Sequence, residues 1–191
     1  MKLEPLGNFV QITSGQIMTR IVAKENETVI GVKKVVIPKA ITSDGFVSIE
    51  DMPEENLKCE PPSERITQVD DIVIKLSTPF DSAIITNNSA DCVVPSFCAI
   101  IRNNGQLDLG YLYAFLSSKL CKDQLKEKVT GAVMSILSVG KIQSVLIPVP
   151  EIIVQRKIGQ DFLAKKEQLL LMKQIIELEN KRNDIIFQEL K

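Results

Sequence analysis

Residues 130–158 read TGAVMSILSVGKIQSVLIPVPEIIVQRKI, and this stretch decides the architecture. It holds a turn at Gly131, a short amphipathic segment, a brief apolar strand and then Pro148-x-Pro150. Proline fixes its own φ and biases the residue before it toward extended backbone. Leu146 and Ile147 are therefore predicted extended, with a short helix over 138–145 ahead of them. Beyond Pro150 the pattern turns helical, and no Gly or Pro interrupts it after Gly159. The stretch reads as a stiff elbow between a mixed head and a long arm. The expected fold class is α+β: a β-rich head with short helices over residues 1–150, then a long coiled-coil helix over 151–191.

Working back from the elbow, residues 107–129 carry Leu112, Phe115, Leu116, Leu120 and Leu125 at helical spacing, with Asp108 as N-cap and Gly131 beyond the end. Further upstream the period is that of strands. DIVIKLS at 71–77 alternates as a strand with one buried face, and 83–86, 92–94 and 97–101 are further strands broken at Pro95. Residues 10–13 and 28–32 are β-branched strands, and 41–49 form a hairpin around Ser43-Asp44-Gly45. Residues 52–63, with Pro53, Pro61 and Pro62 among acids, read as a loop.

Working forward, the arm carries Ile158, Phe162, Leu169, Met172, Ile176, Ile186 and Leu190 at alternating steps of three and four, with Lys165, Glu179 and Asn183 as polar members. A second stripe of Leu163, Leu170, Ile175, Leu178 and Ile185 lies beside it. A helix near 40 residues extends roughly 60 Å. Its distal part outruns the head, so its apolar face calls for a partner helix rather than a fold back across its own domain.

The composition excludes several kinds of chemistry. With 191 residues, 45% of them hydrophobic, the chain can bury a core. It contains no histidine, which removes the usual general base and every Ser-His or Cys-His nucleophile scheme. No glycine pattern matches a dinucleotide loop or a P-loop, and adjacent carboxylates such as Asp70-Asp71 diverge. Cys59, Cys92, Cys98 and Cys121 match no zinc spacing and read as buried free thiols of a cytoplasmic protein. No catalytic residue, no metal site and no cofactor are expected. No apolar run approaches a membrane span, and the first residues lack a secretory signal. The net charge of −1 conceals an acidic 44–71 region and basic clusters elsewhere.

The order of these segments resembles the DNA-specificity (S) subunit of type I restriction-modification systems. LGNFVQITSG resembles the opening strand and turn of that family. VDDIVIKLS resembles its G-D-I-V/L strand, with Asp70 in place of the usual glycine. DCVVPSFCAIIR followed by YLYAFLSS resembles the strand and helix that close its sheet, and residues 130–150 resemble its proline elbow. Gln155 and Ile158 fit the Pro-Pro-x-x-E-Q-x-x-I pattern, while Glu151 replaces a proline and Val154 the glutamate. The resemblance covers nearly the whole chain but only half of such a subunit, which carries two target-recognition domains and two long helices.

The resemblance implies a target-recognition domain at 1–150 and a spacer helix at 151–191 that acts as a ruler. It implies double-stranded DNA, a methyltransferase (modification) subunit and a restriction subunit as partners, with S-adenosylmethionine bound by the modification subunit. A chain with one head and one arm would pair with a second copy through antiparallel helices. The pairing residues would be Ile158, Phe162, Leu169, Met172, Ile176, Asn183 and Ile186. Residue chemistry suggests DNA contacts from Ser14, Gln16, Arg20, Lys33, Lys34, Lys75, Ser77 and Thr78, and from Thr130, Ser135 and Lys141 at the elbow. The competing reading is a coiled-coil adaptor that does not bind DNA, its basic residues scattered over the surface.

Overall fold

A computed structural model describes residues 2–129 and 136–189. In chain order the elements are β1 (Lys2–Pro5), β2 (Val10–Ser14), β3 (Gly31–Lys34), β4 (Glu54–Leu57), β5 (Ile72–Lys75), β6 (Ser82–Ile84) and β7 (Cys98–Asn103). Then come α1 (Leu109–Ser117), α2 (Lys119–Val129), α3 (Val139–Gln143), β8 (Leu146–Val149) and α4 (Ile152–Glu189). The class is α+β with a long C-terminal helix.

A four-stranded antiparallel sheet of order β2-β7-β5-β6 forms the centre. Residues 71–77 were expected to bury one face, but β5 buries both. Ile72 and Ile74 enter the larger core with Leu112, Leu116 and Leu125, while Val73 enters a second core with Val36, Ile41 and Ile100. A strand covered on both sides reads as a continuous apolar run, and IVIK is one. Asp70, at the position where a glycine was expected, has φ 72°. Aspartate is among the few residues that tolerate this left-handed region.

Five further expectations are corrected, among them the strand expected at 92–94 and the burial of Cys59, which is exposed. Residues 52–63 are not all loop, because β4 pairs with β3 there, setting Lys33 opposite Glu55 and Lys34 opposite Glu54. The strand expected at 28–32 begins at Gly31. The helix expected over 107–129 is two helices broken at Ser118. Its amide donates to the Phe115 carbonyl (3.0 Å) and its hydroxyl accepts the Cys121 amide (3.2 Å), so it caps both. At 41–49 a single Ile41–Val47 bridge closes the turn, and 92–94 contributes isolated bridges through Val93. Asp108 caps α1 as expected, accepting the Tyr111 amide at 2.9 Å. β8 pairs antiparallel with β1, a strand the sequence did not signal.

Candidate DNA interface and arm junction

β2 and β5 both run antiparallel to β7, so their C-terminal ends share one rim of the sheet with the start of β7. Ser14 there pairs with Ala99 and Lys75 with Cys98. The chain just beyond β5 is tied to this rim, with the Leu76 amide donating to the Phe97 carbonyl at 3.0 Å. The Leu137 amide donates to the Leu76 carbonyl at 2.7 Å, so the approach to α3 meets the same rim. Ser14, Ser77 and Thr78 are exposed on it, and Phe97 stands beside them with 61% of its surface in solvent. Hydroxyls suit phosphate and base edges, and an exposed aromatic adds an apolar contact. Phe97 is not among the contacts expected from sequence. Its only signal was an aromatic between Pro95-Ser96 and the β7 strand.

The charged candidates are less free than their types suggest. Lys75 is mostly buried and holds Asp81 at 3.2 Å, while Lys122 holds the other oxygen of that carboxylate at 2.9 Å. Asp81 is itself buried, so Lys75 neutralises an interior charge. Gln16 is buried and its Oε1 accepts from Arg65 at 2.6 Å, which corrects its expected availability to bases. Lys33 pairs with Asp91 at 2.5 Å on the small β3–β4 sheet, beside half-buried Lys34. Arg20 is exposed and Lys141 half-buried in α3. Thr130 and Ser135 lie outside the described residues. The rim therefore gathers Ser14, Ser77 and Thr78, whereas Lys33 and Lys34 sit on a different sheet.

At the elbow, Gln155 is 3% exposed and its amide grips both sides of the junction. Its Oε1 accepts the Asp108 amide (3.0 Å) and its Nε2 donates to the Pro150 carbonyl (2.9 Å). Tyr111 donates its hydroxyl to the Pro148 carbonyl at 2.6 Å. One turn on, Gly159 lies against Gly110. A Cβ built on Gly110 would stand 2.9 Å from Gly159 Cα, so α1 and α4 cross backbone to backbone.

Further along the arm, Phe162 meets Tyr113 edge-on, with ring centroids 5.3 Å apart. The apolar stripe assigned Phe162 to helix pairing, but this ring is packed into its own head. The Asp44-Gly45 tip reaches the same place. Tyr113 donates to the Gly45 carbonyl, Lys166 to the Asp44 carbonyl and Lys173 to the Asp44 carboxylate. Burial pushes the Lys166 ammonium below the usual lysine range, with Asp44 pulling the other way. Burial likewise pushes the Tyr113 phenol well up. At about 100° per residue, Gln155, Gly159, Phe162, Lys166 and Lys173 fall within roughly 60° of one another on α4. That sector faces the head. Ile158, Leu169, Met172 and Ile176 occupy the neighbouring sector and remain exposed, as do Asn183 and Ile186 farther out.

No protein-family model matches this sequence. No curated protein matches it either. Solved structures do match in shape. The HsdS subunit from Thermoanaerobacter tengcongensis aligns with 97% of this chain and 47% of its own, at TM-score 0.67 and 19% identity. This chain has the fold of half an HsdS subunit. A chain from a structural account of complex assembly and conformational transition in a type I R-M system gives TM-score 0.62 at 17% identity, over 96% of this chain and 45% of that one. The type I restriction-modification S subunit from M. genitalium gives 0.62 at 14% identity, over 94% and 42%. The chain spans a little under half the length of each HsdS-type structure. Among the described residues no helix is long and apolar enough to cross a membrane, and no group of His, Cys, Asp or Glu is placed to hold a metal ion.

Proposed function

We propose that this chain is a DNA-specificity subunit of a type I restriction-modification system, in a half-size form with one target-recognition domain. Residues 1–150 read one half-site. Residues 151–191 pair antiparallel with the arm of a second copy and set the distance between two half-sites. The observation that carries this reading is the extent of the match: head, elbow and arm together align over 97% of the chain with less than half of the HsdS subunit. The exposed stripe on α4 supports the pairing, because an uncovered apolar helix face of this length favours a partner.

The mechanism is geometric. A two-fold dimer reads a palindromic, bipartite site. The arm of 38 residues is about 57 Å long, which suits heads one to two turns of B-DNA apart. The chain itself is non-catalytic. The modification subunit binds S-adenosylmethionine and transfers the methyl group, the restriction subunit joins for cleavage, and the assembly works in the cytoplasm.

Two measurements test this. Light scattering at micromolar concentration should give twice the chain mass of 21.3 kDa. Fluorescence anisotropy with duplex DNA, together with the cognate modification subunit, should show affinity falling with salt. Four phosphate contacts would lower it about a hundredfold between 50 and 200 mM. A monomer would remove the ruler for this chain alone. No DNA binding with the modification subunit present would leave the coiled-coil adaptor reading.

A further inference from the structure

We infer that the Thr42–Phe46 tip is a strap that fixes the direction of the arm, with Asp44 and Lys173 as positioning residues for the spacing between half-sites. The spacing role rests on the function proposed above; the strap itself does not. The tip is a tight turn closed by the Thr42 amide to the Phe46 carbonyl (2.9 Å) and the Phe46 amide to the Thr42 hydroxyl (3.1 Å). Gly45 sits at φ 88°, and a Cβ there would lie 2.2 Å from the Tyr113 hydroxyl. Only glycine lets the tip enter the angle between α1 and α4 in this way. Once there, it uses a backbone carbonyl on Tyr113, a second on Lys166 and a carboxylate on Lys173.

The elbow alone would leave the arm able to swing. Gln155, Gly159 and Phe162 fix α4 over its first two turns, about 11 Å, which makes a short lever base. Lys173 is 14 residues beyond Gly159, about 21 Å along the axis. A second tether at that distance narrows the swing. The geometry sets the scale: Glu189 lies 34 residues past Gln155, about 51 Å. A 10° swing about Gln155 displaces that end by about 9 Å, more than two base-pair steps of roughly 3.4 Å. A ruler that discriminates single base pairs needs a tether of this kind.

The exposed Cys59 provides a labelling site on the head, because Cys92, Cys98 and Cys121 are buried. Arg182→Cys adds a label on the distal arm. Pulsed electron spin resonance on the full chain, diluted with unlabelled copies, should give a narrow distance distribution between the two labels. Asp44→Ala and Lys173→Ala should each broaden or shift it, and Lys119→Ala, which pairs with Asp123 within α2, should not. The charge swap Asp44→Lys with Lys173→Asp should restore the narrow distribution, which a general loss of folding would not do.

Binding to duplexes whose spacer is varied by one and two base pairs provides the second readout. Parent protein should prefer one spacing at least tenfold, and Asp44→Ala should reduce that preference below threefold while single half-site affinity stays within twofold. Unchanged distances in both alanine variants overturn the strap whatever the DNA result. Broadened distances with spacing preference intact overturn the specificity role. If parent protein binds no DNA while the distances broaden, the strap stands and the specificity-subunit reading fails.

Discussion

Replacing Gly159 with alanine should destabilise this protein, although the same change in an open helix would stabilise it. An exposed helical Gly→Ala substitution gains about 1 kcal/mol. At Gly159 the added carbon would stand 2.3 Å from Asp108 Oδ1, 2.7 Å from the Tyr111 nitrogen and 2.9 Å from the Gly110 carbonyl carbon. Two of those three atoms are backbone, so rotamer adjustment cannot clear them. The helices must separate, which costs about 1–3 kcal/mol as overpacking. Displacing Asp108 from the Tyr111 amide adds about 1 kcal/mol of lost capping. Setting these against the propensity gain leaves a net loss of about 1–3 kcal/mol, a Tm fall of about 3–9 °C for a chain of this length. Gly140 on α3 provides the control, since a Cβ there meets nothing within 4 Å. Gly140→Ala should be neutral or gain up to about 1 kcal/mol. Urea unfolding and thermal melts at one protein concentration measure both, because any self-association makes stability concentration-dependent. A Gly159→Ala protein as stable as its parent would refute the backbone-to-backbone crossing.

Other outcomes follow from the buried charges and thiols. Arg102 holds Asp71, a carboxylate 2% exposed, with two contacts of 2.7 Å. Arg102→Met should cost about 2–4 kcal/mol in urea unfolding, and adding Asp71→Asn should recover part of it. Lys75→Ala should lower stability by about 1–2 kcal/mol by leaving buried Asp81 with Lys122 alone. Ser77→Ala with Thr78→Ala should leave stability within about 0.5 kcal/mol yet weaken DNA binding severalfold, which an anisotropy titration would detect. A thiol reagent should label Cys59 alone in the folded chain and all four cysteines in denaturant. Burial pushes the Cys98 and Cys121 thiols from about 9 up to about 12. Unfolded thiols ionise first as pH rises, so the unfolded state binds fewer protons there. Stability should be unaffected by these groups below pH 9. It should then fall between 9 and 12 by up to about 1.4 kcal/mol per pH unit for each thiol.

The parts of the fold that were legible in the sequence are those set by local chemistry. Pro148 and Pro150 announced the elbow, Asp108 the start of α1, and the uninterrupted period after Gly159 the arm. What stayed hidden depends on distant partners. β4 is only EENL, with Leu57 its one buried residue, and it is a strand through its backbone pairing with β3 and the burial of Leu57 against Ile21, Val35 and Val93. Ser118 sits inside a sustained helical pattern, and its cap shows only when both neighbouring helices are packed. Lysine and glutamine were suitable types for DNA contact, but sequence could not show that Lys75 answers a buried carboxylate or Gln16 an arginine. Ser43-Asp44-Gly45 was legible as a turn, whereas its docking between two helices required the fold.

The pairing of β1 with β8 has a further consequence. Lys2 lies opposite Val149 and Pro5 opposite Leu146, so the strand that leads into the head and the strand that leads out to the arm are neighbours. A unit whose two ends emerge side by side can be exchanged or inserted with little disturbance to what it is attached to. Different heads could be grafted onto an unaltered arm, provided each presents an Asp108-like cap, a glycine at the crossing and a tip that reaches the lysines. Under the function proposed above, recognition would then change while the distance between half-sites stayed the same.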